Sequence, residues 1–132
     1  MLRAMGVRLG HLDIAAHVVG DPGCPEIGAG DLVLAGSGSG RTPVPLEHAI
    51  EARKAGATIT LITANPASPL AKMAKMIIHV PAGDVPAGPS PHTLRSLFEE
   101  SLLIICDCVC RMLQDKLGIS TDDMQARHST VE

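Results

Sequence analysis

The run Asp31-Leu32-Val33-Leu34-Ala35 has the short apolar character of a buried strand. It passes through Gly36-Ser37-Gly38-Ser39-Gly40 into a helical stretch that begins near Pro43. A strand that turns on glycine and continues as a helix belongs to folds in which helices cover a parallel sheet. The turn is also a candidate oxyanion cradle. Glycine lets backbone N–H groups approach an anion, Ser and Thr hydroxyls add donors, and the following helix N-terminus adds a favourable dipole. The spacing is neither the GxGxxG of dinucleotide sites nor the GxxxxGK[ST] of nucleoside triphosphatases, so a monophosphate ester fits the pattern better. The competing reading is a flexible glycine-serine loop with no ligand.

The flanking segments extend the alternation. Residues 1–12 carry Leu2, Met5, Leu9 and Leu12 at helical spacing. Strands are predicted at 15–19, 31–35, 58–63 and 76–80, with a helix over 44–55 that Gly56 ends and a short one over 67–74. The stretch 81–91 holds too many prolines and glycines for either regular element and reads as a loop, a candidate border of an active site. From Thr93 to Leu117 the pattern is a long helix with Leu94, Leu97, Phe98, Leu102, Ile105, Val109 and Met112 on one broad apolar side. Ser120, as N-cap, then opens a last short helix whose first turn holds Asp122 and Asp123.

A chain of 132 residues supports one domain with a real core. Its one aromatic residue is Phe98, so the interior must be aliphatic, as in a covered parallel sheet. A formal charge of −3 gives no basic field for nucleic acid or an acidic membrane, so an anionic substrate would be held by local donors. No apolar run approaches the roughly 20 residues of a membrane span. The start has no signal-peptide pattern, and the expectation is a soluble, cytoplasmic protein. Cys106, Cys108 and Cys110 share one apolar segment, which suits reduced, buried thiols better than a disulfide framework or a zinc site. No metal is expected, and the scattered methionines read as core filling.

Several stretches resemble the sugar isomerase (SIS) domain family and, within it, the 6-phospho-3-hexuloisomerases. They are Arg8-Leu9-Gly10-His11-Leu12 with His17-Val18-Val19-Gly20, Gly30-Asp31 leading into Ser37-Gly38-Ser39-Gly40, and Ser68-Pro69-Leu70-Ala71-Lys72-Met73-Ala74. The helix start Ser96-Leu97-Phe98-Glu99-Glu100-Ser101-Leu102-Leu103 and the tail from Leu117-Gly118-Ile119 through Arg127-His128 to Glu132 complete the likeness. The resemblance implies a single SIS domain over 1–132, a three-layer α/β/α sandwich of Rossmann-like type with a parallel sheet. It implies N-terminal truncation, because the family's first helix, first strand and glycine-rich turn are absent. That strand would lie between 31–35 and 58–63 and leave both with unpaired backbone groups.

The activity implied is interconversion of D-arabino-hex-3-ulose 6-phosphate and fructose 6-phosphate, without metal or organic cofactor, by a homo-oligomer that is commonly a tetramer. Moving a carbonyl between C3 and C2 needs a base at carbon and an acid at oxygen. Glu99, matching the family's glutamate, is the candidate base, with partial burial raising its pKa. The alternative for Glu99 is a solvated carboxylate serving the helix dipole. Ser37, Ser39 and Thr42, with Gly38, Gly40 and Arg41, form the candidate phosphate site; Arg41 departs from the family pattern. The resemblance assigns His128 to proton transfer at the substrate oxygens, and His11 is a weaker candidate that otherwise reads as structural. A non-catalytic phosphosugar-binding module and an inactive relative are the competing functions.

Overall fold

The computed structural model describes residues 1–82, 96–128 and 130. The expected loop from residue 83 onward, the helix start at Thr93, His92 and the terminal Glu132 lie outside the described residues. In chain order the elements are α1 (Leu2–His11), β1 (Leu32–Gly36), α2 (Pro43–Lys54), β2 (Thr58–Thr63), a 3-10 turn (Ala71–Met73), β3 (Met76–His79), α3 (Ser96–Leu117) and α4 (Thr121–Ala126). They fall into two compact units, residues 25–102 and residues 1–24 with 103–132. No helix among the described residues is long and apolar enough to cross a membrane.

The unit of residues 25–102 is built on a parallel sheet of order β1-β2-β3. From Ile59 to Thr63 β2 is buried without a break, which matches its central place, because a strand covered on both faces has no exposed side to alternate with. Ile59, Leu61 and Ile62 are all buried there, along with the hydroxyl-bearing Thr60 and Thr63. Ile59 and Leu61 pack with Ala35 of β1, Ala49 of α2, Leu70 and Ala71. This cluster is wholly aliphatic, as the shortage of aromatics requires. Each large side chain in it contributes on the order of 1.5–3 kcal/mol of burial.

The sheet corrects one expectation. Leu32 pairs directly with Thr58, and the register runs through Gly36 opposite Ile62, so no strand separates these two segments. The backbone groups between them are satisfied by each other.

In the other unit, Met5, Leu12, Cys106 and Cys110 are buried, and Arg8 meets Asp107 at 3.3 Å. Along α3 the buried line is Phe98, Leu102, Cys106 and Cys110, at a constant spacing of four. Of the expected apolar side, Phe98 and Leu102 are buried and Ile105 and Val109 half-buried, but Met112 is 69% exposed; Met1 and Met76 are exposed too, so the methionines do not all fill the core. Cys108 likewise lies on the exposed face rather than among buried thiols. The strand expected at 15–19 does not form. Strands are made by pairing, and this segment, with its strand-like composition, joins no ladder among the described residues.

Candidate active site

At the carboxyl end of β1 the chain turns through residues 37–42 into α2, and at the neighbouring end of β2 it turns at Thr63. Crevices beyond the carboxyl ends of parallel strands are where α/β folds place ligands. The glycine-serine turn is built rather than slack. The Gly40 N–H donates to the Ser37 carbonyl at 3.2 Å and to Ser37 Oγ at 3.1 Å. Ser37 Oγ lies 3.2 Å from Thr42 Oγ1, and the Arg41 N–H donates to Ser39 Oγ at 3.2 Å. Ser37 is buried, so its hydroxyl braces the loop from inside, whereas Ser39 is half-buried and Arg41 and Thr42 are exposed.

β2 holds the turn from the other side. Ala64 N–H and Thr63 Oγ1 both donate to the Gly38 carbonyl, at 3.1 and 3.2 Å, and Leu70 N–H donates to the Gly40 carbonyl at 3.3 Å. Gly40 has φ +60°, and a Cβ there would sit 2.0 Å from Ser68 Oγ, which is wholly buried. Only glycine satisfies both constraints. The amides of Gly38, Ser39, Thr42 and Val44 find no acceptor among the described residues, so these N–H groups remain to meet an anion.

The helix contributes less than the sequence suggests. Pro43 and Pro45 occupy the first and third positions of α2, which leaves Val44 as the one N–H donor of those three. Thr42, at the N-cap, makes no side-chain cap bond and turns its hydroxyl toward Ser37. The dipole persists, but the donors of an anion site here come mainly from the loop.

Phe98 is buried, and its ring lies 3.2 Å from where a Cβ of Gly38 would stand. This contact seats the first turn of α3 against the glycine-serine loop, and Glu99 is the next residue. Glu99 is exposed, which corrects the expected partial burial. A carboxylate one step along a helix from a buried residue points away from the packed side.

His11 and His128 come together in the unit of residues 1–24 and 103–132, with ring centroids 5.0 Å apart and planes tilted by 35°. An open cleft of about 370 Å³ in the same unit is lined by Arg3, His17, Asp21 and Cys24 among others, and includes none of the candidate site residues. Among the described residues no three His, Cys, Asp or Glu side chains converge as metal ligands. Burial pushes the Cys106 and Cys110 thiols up, as expected of packing groups rather than nucleophiles. The residues missed by sequence reasoning are Thr63, Ser68 and Phe98, which shape the loop from a distance in sequence. A polar Thr closing a buried strand was the available signal for the first.

The model of the SIS domain family matches residues 11–98. The chain belongs to the SIS domain family. Over its whole length the chain is 38% identical to the 3-hexulose-6-phosphate isomerase of Mycobacterium gastri and 32% identical to that of Bacillus subtilis, spanning 68% and 74% of those relatives. A crystal structure from Methanococcus jannaschii, described as inferring a 3-hexulose-6-phosphate isomerase function for a hypothetical protein, aligns with 98% of this chain and 71% of its own. The TM-score is 0.88 and the identity 26%. The α/β fold with its parallel sheet is therefore the SIS fold.

Proposed function

We propose that this chain is a sugar-phosphate isomerase that interconverts D-arabino-hex-3-ulose 6-phosphate and fructose 6-phosphate. The observation that carries the reading is whole-length identity of 38% with a relative bearing the name 3-hexulose-6-phosphate isomerase. The glycine-serine loop suits it, because a phosphate monoester needs several convergent donors and little else. Ser39, Thr42, the Arg41 guanidinium and the amides of Gly38 and Ser39 meet the phosphate, while Ser37 and Gly40 give the loop its shape.

Glu99 removes the proton from C2 beside the C3 carbonyl, giving a 2,3-enediolate, and returns it to C3 as the carbonyl forms at C2. His128 passes the proton from the C2 oxygen to the C3 oxygen, supplied to the site by a neighbouring subunit. In this reading residues 1–132 are a single SIS domain acting in the cytoplasm as a homo-oligomer, a tetramer by family likeness. No cofactor is invoked, since the proton shifts need only the two side chains.

The test is a coupled assay of fructose 6-phosphate formation with wild type and Glu99→Gln. The expected loss in the variant is about 10²–10⁴-fold in kcat. An unchanged rate removes Glu99 from the role. The exposure of Glu99 favours a second reading, a non-catalytic phosphosugar-binding module. Saturable calorimetric binding of fructose 6-phosphate with no turnover in wild type would establish that one.

A further inference from the structure

α1 ends at His11, whose carbonyl, like every carbonyl in a last helical turn, has no partner within its helix. The partner comes from the tail: Arg127 Nη1 donates to the His11 carbonyl at 3.3 Å and to the Asp123 carbonyl at 3.3 Å. One guanidinium thus ties the ends of α1 and α4, and its positive charge sits at the negative pole of both helix dipoles. The backbone that follows is fixed as well, with Arg127 N–H donating to Met124 at 3.2 Å and His128 N–H to Gln125 at 3.1 Å. Ser120 and Asp123 anchor the other end of α4 with a reciprocal capping box. The result is a clasp whose last residue, His128, rests its ring 5.0 Å from that of His11.

An imidazole that is to move protons must keep its orientation through turnover. We propose that Arg127 is a positioning residue for His128, acting by bridging α4 to the carbonyl end of α1, and that the His11 ring is the surface against which His128 is set. The two residues act through His128 and not on substrate. The kinetic part rests on the role given to His128 above, and the structural part does not.

Two measurements decide it. Nuclear Overhauser contacts between the His11 and His128 ring protons are expected in the wild-type chain and lost in Arg127→Met, with amide shifts of β1 to β3 unchanged. Their persistence in Arg127→Met overturns the bridging role whether or not the chain turns over.

In the coupled assay, Arg127→Met and His11→Ala are each expected to lower kcat about 10-fold with KM within about twofold, the effect of a misplaced group rather than a lost binding contact. Made in a His128→Ala background, neither is expected to cost anything further. Equal losses in both backgrounds overturn the proposal. A His128→Ala variant as active as wild type instead overturns the catalytic role of His128, leaving the ring-contact result to judge the clasp.

Discussion

Gly40 concentrates more constraint than any other residue of the loop. Its positive φ admits an L-residue only at a cost of about 1–3 kcal/mol. A methyl group there would also displace the buried Ser68 hydroxyl, which accepts from the Ala71 N–H at 3.2 Å, adding roughly another 1 kcal/mol. Gly40→Ala is therefore expected to destabilise the chain by about 2–4 kcal/mol in urea unfolding, and a midpoint equal to wild type would show that the turn adapts freely. Gly38 differs, because its φ is not positive and the neighbour that would have to give, by a few tenths of an ångström, is the Phe98 ring at 3.2 Å. The three cysteines of α3 separate at this scale too. Burial raises the thiol pKa of Cys106 and Cys110, while Cys108 is exposed. Brief alkylation at pH 8 followed by peptide mapping should modify Cys108, and modify Cys106 and Cys110 only after denaturation. Equal labelling of all three would contradict the buried line of α3.

Among the elements, α4 has just six residues and depends on its cap. The Ser120 hydroxyl donates to the Asp123 carboxylate at 2.6 Å and the Ser120 N–H donates to it at 3.1 Å, and Arg127 adds a weaker favourable charge. These partners hold the Asp123 carboxyl below its ordinary value. A carboxylate depressed in the folded state contributes stability that is complete above the unfolded value, about 3.9, and that is lost as pH falls through the folded one. The Ser120 amide resonance should therefore hold its capped position at pH 5 and move only below the ordinary carboxylate range. A midpoint above that range would rule the cap out as the cause.

The elements also show where sequence stops being sufficient. The strands at 31–35 and 58–63 and the Ser120 start were legible, because apolar runs and capping chemistry are local. The segment 15–19 was not, since its composition suits a strand but a strand needs a partner elsewhere. Met112 was misplaced because the apolar arc of α3 is wider than the line that packing buries, through Phe98, Leu102, Cys106 and Cys110. In the candidate site the glycine-serine turn was readable as a motif. The support it draws from Thr63, Ser68 and Phe98, and the meeting of His11 with His128, depend on residues far apart in the chain.

At the scale of the whole molecule the governing quantity is charge. With a formal net charge of −3, the protein offers a phosphate ester no long-range attraction, so its binding energy must come from contacts at short range. Arg41 is the cation within the loop itself. Its side chain is exposed and makes no hydrogen bond or ion pair among the described residues, so it gives up no internal partner when an anion arrives. An arginine pairing with phosphate makes charge-assisted bonds, yet the phosphate does not change during the isomerisation, so the contact is equal in ground and transition states. Arg41→Ala should then raise KM about 10-fold while kcat stays within about twofold. Because the guanidinium is exposed, added salt should erode the wild-type advantage, and KM values of the two proteins should converge between about 0.05 and 0.5 M ionic strength. A fall in kcat at unchanged KM would place Arg41 near the reacting carbons instead. An unchanged KM at low salt would leave the loop's amides and hydroxyls as the whole of the phosphate site.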